Sequence, residues 1–392
     1  MTTTTDRHTS GGFDLTLTEE QALVQRTARD FAREKVLPLA AGIDEKEKVP
    51  LGLIKEMGAL GFMGIDVPER YGGSGMDSLT YVLVAEEINR ACASTGVILC
   101  SHVSLGIEPI MRSGTDAQKE TWLSALAKGE KIACFALSEP ASGSDAAAMR
   151  TSARRVGELF VLNGTKNFIT NGSIADVAIV FAQSDPALGN KGIAAFVVEK
   201  GTPGFSVGKL ERKLGIRGSD TAQLIFQDCR VPAANLLGAV GDGFKIALAT
   251  LNGGRISIAA QAVGIARACL EDALAYAKER EAFGKKITEF QAIQWKLADM
   301  ATEIDAARLL TWKAATLRDQ RAPHILEAAE AKLFASDVAV KAARDCVQIF
   351  GGYGYLADFP AERHYRDAKI TEIYEGTSEI MKLVIAEAVL AE

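Results

Sequence analysis

Near its C-terminus the sequence reads TEIYEGTSEI, residues 371–380. Glu375 stands between Tyr374 and Gly376, directly ahead of MKLVIAEAVL, a run with the composition of a helix. A carboxylate placed there feels two opposing influences. A helix N-terminus favours its ionised form, whereas burial in an apolar pocket favours the protonated one. A group balanced between the two is suited to act as a general base. Gly376 adds backbone freedom that a helix interior avoids. The plainer alternative is an acidic residue at a helix entry.

Three other stretches carry groups that could do chemistry. In FALSEPASGSDAAAM, residues 135–149, an apolar segment runs into a loop of small residues containing Ser138, Gly143 and Ser144. Backbone N–H groups and hydroxyls in such a loop can hold phosphate or carbonyl oxygens. A turn with a helix cap would look the same. Arg255 in LNGGRI and Arg280 in EREAFGKK are of the type that grips phosphates with two parallel hydrogen bonds, although either could form an ordinary surface ion pair. Gly352 to Ala357 matches G-x-G-x-x-A. That pattern signals a dinucleotide site only between a strand and a helix. Here AARDCVQIF precedes it and reads as helix, so a Rossmann site is rejected.

The elements that would position these groups fall into three parts. Residues 15–130 read as helices. Thr18-x-x-Gln21 and Thr115-x-x-Gln118 have the spacing of capping boxes, and Leu23, Thr27 and Phe31 recur at helical intervals with Val24 and Ala28 beside them. Residues 131–240 are short β-branched or aromatic runs parted by Gly, Pro, Asn and Asp. Asn163-Gly164 is a hairpin signal. Strands that follow one another without helices imply an antiparallel sheet or barrel, not a doubly wound domain. Residues 241–392 return to long helical patterns, from about Phe244 to Arg280, Thr288 to Arg318 and His324 to Phe350. A short last helix begins near Thr377 or Ser378, with Ile380, Leu383, Val384 and Ala388 as its apolar face. The expected fold class is α+β and multidomain: an N-terminal α-helical domain, a middle antiparallel β-barrel and a C-terminal domain like a four-helix bundle.

Bulk composition narrows the function. The chain has 392 residues, more than one compact core accommodates. Net charge is −6, which argues against a nucleic-acid binder. The six cysteines form no C-x-x-C pair and sit in apolar contexts, as buried thiols of a reducing compartment do. The four histidines are scattered, so no metal site is expected. No apolar run reaches membrane-span length. Residues 1–14 lack the apolar core of a signal peptide and read as a flexible tail.

Taken together, CFALSEPASGSDA, LNGTKNFITNG, RKLGIRGSD, REAFGKKITEFQAIQWKLADM, QIFGGYGY and AERHYRDAKITEIYEGTSEI resemble the acyl-CoA dehydrogenase family, in its short-chain, butyryl-CoA type. The resemblance runs from about Leu15 onward. It implies a helical domain, a β-barrel and a helical bundle assembled as a homotetramer. It further implies non-covalent FAD, an acyl-CoA substrate and electron-transferring flavoprotein as acceptor. The family's reaction gives the trans-2-enoyl-CoA: a glutamate removes the α-proton while a β-hydride passes to flavin N5. The compartment implied is a bacterial cytoplasm or the mitochondrial matrix, and the setting is fatty-acid β-oxidation or branched-chain amino-acid breakdown.

Residue by residue, the resemblance makes Glu375 the catalytic base, with Tyr374 and Gly376 beside the acyl chain. It sets Phe135, Leu137 and Ser138 on one side of the flavin ring and Phe168, Ile169 and Thr170 on the other. A tryptophan is frequent where Phe168 stands. Gly143 and Ser144 match a loop near the flavin and CoA phosphates. Arg280, Phe283, Gln291, Gln348 and Gly352 match flavin contacts made across a subunit interface. Thr377 and Glu379 match residues near the FAD adenylate, and Asn252 and Arg255 match the CoA side.

Two departures refine this. Some relatives carry the base just before the arginine matching Arg255, where this chain has Gly254, so Glu375 is left as the base. Asn252 replaces a frequent aspartate and resembles isobutyryl-type relatives, which leaves straight and branched acyl groups open. Other readings on the same fold are a flavin oxidase or monooxygenase, and a CoA-binding helical scaffold without redox activity.

Overall fold

A computed structural model describes residues 16–391; the tail expected at residues 1–14 lies outside them. The helical N-terminal part comprises α1 (Glu19–Phe31), α2 (Ala40–Lys46), α3 (Leu51–Ala59), α4 (Ser78–Ala91), α5 (Ala93–Cys100), α6 (Glu108–Ser113) and α7 (Asp116–Ala127). Both capping boxes form. The hydroxyls of Thr18 and Thr115 accept from the amides of Gln21 and Gln118, whose side chains reach back to the cap amides. The buried stripe of α1 is Gln21, Ala28 and Phe31; Leu23 lies outside it, 56% exposed.

The stretch Ala93–Ser113 does reach membrane-span length and apolarity, contrary to the sequence expectation. However, 94% of its apolar window is buried inside the protein, the situation of a core helix.

The middle part is one sheet. Its strands are β1 (Ala133–Ala136), β2 (Ser152–Val156), β3 (Leu159–Thr170), β4 (Val177–Gln183), β5 (Ile193–Glu199), β6 (Phe205–Leu210), β7 (Thr221–Pro232) and β8 (Leu236–Leu237). They run in the order β6-β7-β3-β2-β4-β5-β8, with β1 beside β4. Most pairs are antiparallel, but β1 and β2 each pair with β4 in parallel. β4 is buried along its whole length. Val177, Ile179 and Phe181 face one core, against Phe135, Leu137 and Leu105, while Ala178, Val180 and Ala182 face the other, against Phe160, Phe196 and Phe226.

Asn163-Gly164 is not a hairpin. The chain passes straight through it within β3, where the register shifts between Leu162 and Gly164. A side chain at Gly164 would meet Thr151 at 2.4 Å, so the glycine serves a bulge and a close approach. The turn lies earlier, between Val156 and Leu159, where Gly157 has a φ of 60°.

The last part holds α8 (Gly243–Glu279), a two-stranded ribbon of β9 (Glu281–Ala282) and β10 (Lys285–Lys286), α9 (Gln291–Asp319), α10 (Ile325–Phe350), α11 (Pro360–Ala368) and α12 (Ser378–Leu390). α8 packs against α4, α9 and α10. Small residues such as Ala259, Ala262, Ala331 and Ala335, all fully buried, line these helices and let their axes approach. Ion pairs tie the layers: Arg267 of α8 and Arg308 of α9 both reach Glu86 of α4, at 3.1 and 2.9 Å. In α12 only Met381 is buried, and Leu383, expected on the apolar face, is 64% exposed. Ile380, Val384 and Ala388 are half-buried beside Met381, as expected of that face, while Leu383, Val389 and Leu390 are exposed.

Candidate active site

Glu375 lies in the short link between a helical turn, Lys369–Glu372, and α12. Its φ is 54° and that of Gly376 is 100°. Two successive left-handed residues are costly for a glutamate, and they bend the chain sharply just before Thr377 caps α12 by accepting from the Ile380 amide at 3.3 Å. Neighbouring elements hold the bend. Lys332 of α10, fully buried, donates from Nζ to the Gly376 carbonyl at 2.6 Å. One turn on, the Ser336 hydroxyl donates to the Thr371 carbonyl at 2.8 Å. Tyr374 donates its phenol to Gln261 of α8.

The Glu375 side chain is aimed at α8. A Cβ on Gly254 would come within 1.9 Å of its Oε2, and Leu105 Cδ2 closes the same space at 3.0 Å. The glycine is therefore needed for room. Oε2 is buried and has no hydrogen-bond partner. Arg255, buried, donates from Nη1 to Asn252 at 2.9 Å, and its Nε is also buried without a partner. Burial pushes the Glu375 carboxyl up to about 8, and the cations of Lys332 and Arg255 oppose that rise. A carboxyl titrating near neutrality, with one buried oxygen left without a partner, can take a proton from a bound molecule.

The two segments expected to flank a flavin come together. β1 leads through Leu137 to Ser138, whose carbonyl accepts from the Asn167 amide at 2.8 Å. Lys166, fully buried, donates to the Leu137 carbonyl at 2.9 Å and to Glu139 at 2.8 Å. Glu139 also accepts from the amides of Arg150 and Thr151, at 2.6 and 2.9 Å. Next to this knot β3 bulges between Lys166 and Ile169. There Phe168 adopts a φ of 60° and is 63% exposed, while Ile169 is buried and Thr170 half-buried. Phe135 is buried beneath, against Phe181 at 4.9 Å between ring centres. Gly143 and Ser144 lie exposed on the following loop, and a side chain at Gly143 would meet nothing.

A second group gathers at the far end of α8. Arg280 and Gly352 line an open groove of about 410 Å³ together with Tyr276, Phe350 and Tyr353. The Arg280 guanidinium sits 5.7 Å from the Tyr353 ring centre. Phe283 is 95% exposed nearby, in contact with Phe290, the residue before Gln291 at the head of α9. Gln348 is exposed on the last turn of α10. Arg255 and Arg280 are separated by roughly 37 Å of helix at about 1.5 Å per residue, so one chain does not bring the two groups together. Glu379 is exposed, and its own amide and the Thr377 hydroxyl hold its carboxyl below the usual range. The G-x-G-x-x-A run forms a single helical turn, Gly351–Tyr355, after α10, not a strand-to-helix turn.

Sequence reasoning missed Lys332, Gln261 and the Lys166–Glu139 pair. Lys332 had left a signal: it shares one face of α10 with Ala328, Ala335 and Ala339, all buried, where a lone cation is out of place.

Comparison with known proteins accounts for nearly the whole chain. Family models for the N-terminal, middle and C-terminal domains of acyl-CoA dehydrogenase match residues 18–130, 134–229 and 241–390. The human mitochondrial short-chain specific acyl-CoA dehydrogenase is 54% identical over 370 residues, spanning 94% of this chain and 90% of that one. The structure of butyryl-CoA dehydrogenase from Megasphaera elsdenii superposes with a TM-score of 0.95 at 48% identity, covering 96% of this chain and all of the other. A chain solved in work on the electron-transferring flavoprotein of Acidaminococcus fermentans gives 0.96 at 49% identity, covering 97% and 100%. With three domain models in order along one chain, and identity near one half over that length, the chain belongs to the acyl-CoA dehydrogenase family.

Proposed function

We propose that this chain is an FAD-dependent dehydrogenase of short-chain acyl-CoA thioesters, with Glu375 as the base that removes the α-proton. The observation that carries the proposal is the free Oε2 of Glu375, buried opposite Gly254 on a strained turn. The residues suit the cofactor. Phe168 is an exposed aromatic on a bulge braced against the Ser138 loop, and Gly143 leaves the loop open. Bound FAD would accept the β-hydride as the α-proton leaves.

The rest falls to the chain. The thioester α-hydrogen is a weak acid, so its removal needs a base in place and donors on the carbonyl oxygen. In this reading Glu375 takes the proton on Oε2 and offers its own amide to that oxygen. Gly254 and Leu105 seat the carboxylate, and Arg255 with Asn252 lies on the CoA side. The burial of Oε2 and of Arg255 strengthens these contacts.

The exposed apolar residues at the Arg280 groove and on α12, including Phe283 and Leu390, 95% and 85% exposed, support a homotetramer in which a second copy covers that groove. Electron-transferring flavoprotein as acceptor and a reducing compartment, cytoplasm or mitochondrial matrix, complete the reading. Among the described residues all six cysteines are free and buried.

The test is an anaerobic visible spectrum of the purified holoenzyme before and after butyryl-CoA. Rapid bleaching is expected for the wild type and none for Glu375→Gln. A wild type that stays yellow with butyryl-CoA and bleaches with isobutyryl-CoA would move the substrate to branched acyl groups. Full turnover by Glu375→Gln would refute Glu375 as base.

A further inference from the structure

The mechanism above leaves one buried cation unused. Lys332 is fully buried on α10, and among the described residues its ammonium makes one hydrogen bond, to the Gly376 carbonyl. An ammonium has three protons to give, and a buried charge so thinly satisfied is expensive. A structural lysine would have a carboxylate in contact, as Lys166 does. At Lys332 the nearby anion is Glu375, which is coupled to it through space while its Oε2 stays without a hydrogen bond.

We infer that Lys332 is a positioning residue for the reaction, with two separable actions: its hydrogen bond to the Gly376 carbonyl fixes the left-handed bend that aims Glu375, and its charge favours the ionised form of that carboxylate without occupying the oxygen that must take the proton. The inference rests on Glu375 being the base.

Of the other groups facing the pair, Arg255 on α8 adds its charge in the same sense, but its guanidinium hydrogen-bonds Asn252 rather than the Gly376 carbonyl. The Cys100 thiol on α5 is pushed up to about 11 by burial, and burial raises the Tyr374 phenol beside it; both remain neutral at physiological pH. Glu372, in the turn before Glu375, and Asp337 on α10 favour the charged form of Lys332, against the burial that lowers it to about 8. Both groups sit at about 8, so the ammonium supports the carboxylate most fully at and below neutral pH and loses its proton as the medium becomes alkaline. Removing the charge makes the carboxylate harder to form, and each unit of upward shift lowers its ionised fraction about tenfold at a pH below both values.

Two substitutions separate the actions. Lys332→Gln keeps a donor for the Gly376 carbonyl and removes the charge; Lys332→Met removes both. For the holoenzyme, the pH profile of kcat/KM reports groups of the free enzyme. The alkaline displacement of its limb is expected in both variants: activity falls about tenfold or more at neutral pH and recovers as pH rises. Lys332→Met should show a further loss at all pH values, and Lys332→Arg should return the limb toward its wild-type position. An infrared titration of the Glu375 carboxyl, taken as wild type minus Glu375→Gln, reads the same shift without turnover. A limb and a carboxyl titration that stay in place in Lys332→Gln would overturn the charge role. Equal activity in Lys332→Met and Lys332→Gln would overturn the clamp.

If Lys332→Met does not fold, Lys332→Gln and Lys332→Arg still decide the charge role. If neither uncharged variant folds, Lys332→Arg decides it: a limb and an infrared midpoint that stay near their wild-type positions support the charge role, and an alkaline displacement of both with the cation retained would overturn it. The underlying reading fails separately, through a Glu375→Gln enzyme that turns over normally.

Discussion

Two fully buried lysines, Lys166 and Lys332, have glutamates for neighbours and opposite outcomes. Lys166 touches Glu139 at 2.8 Å, and Glu139 also accepts two backbone amides. Burial would raise that carboxyl, but the charge and hydrogen bond of Lys166, with the Thr151 and Arg150 contacts, hold it below the usual range. Lys332 donates to a carbonyl instead, and Glu375 keeps a bare oxygen, so burial wins and the carboxyl sits near 8. In the satisfied pair Glu139 is held ionised and serves the architecture of the Ser138 loop. A pair left open is able to exchange a proton.

That contrast can be broken by mutation. The largest effect is expected from Glu375→Gln, with flavin reduction by acyl-CoA lowered roughly 10⁴-fold in stopped-flow traces while FAD stays bound. The same variant tests stability. The folded carboxyl titrates at about 8 against an ordinary 4.5, so between those values the folded protein holds a proton that the unfolded chain has released. Stability from this group therefore falls as pH rises through that window. Glutamine cannot titrate, so the melting temperature of the variant relative to wild type should climb from pH 5 to about pH 8; a constant difference would place the Glu375 pKa at an ordinary value.

Gly254→Ala comes next. Its methyl would overlap Oε2, and a misplaced base costs on the order of 10²-fold in kcat. Alanine is the better helix former, so stability should hold while activity falls. Lys166→Met should do the reverse. It strands Glu139 as a buried anion, at roughly 3 kcal/mol of unfolding free energy in denaturant titrations, and Glu139→Gln added to it should recover part of the loss. Tyr374→Phe sharpens the comparison least: it removes the bond to Gln261, for about 1 kcal/mol and a small change in turnover.

Much of the site was legible because its signals are local. The capping boxes at Thr18 and Thr115, the start of α12 at Thr377 and the isolated Glu375-Gly376 pair each depend on residues a few positions apart. What lay beyond the sequence was tertiary. Asn163-Gly164 has the chemistry of a turn, yet β7 continues to pair across it and turns it into a bulge. The outward face of α12 could not be known before knowing what covers it. Gly254 was visible as a residue that cannot be a base, but its purpose, vacating space for a carboxylate more than a hundred positions away, needed the fold. The grouping of Phe135 and Ser138 with Phe168 came from the resemblance, and the Asn167 and Lys166 bonds supply its physical basis.

β4 illustrates a different kind of specification. Both of its faces are buried, so alternation of polar and apolar residues cannot fix its register, and a slip by one position would not expose anything oily. Side-chain volume does the work instead. Val177, Ile179 and Phe181 form the bulky face, whereas Ala178, Val180 and Ala182 form a thin one that admits Phe196 of the adjacent β5 and Phe160 of β3, themselves 4.9 Å apart at their ring centres. A slipped strand would push Phe181 into space already taken by those rings and leave a void beside Phe135. The sheet under the proposed flavin site is therefore keyed by size, like the wards of a lock, and its tolerance is narrower than its uniformly apolar sequence suggests.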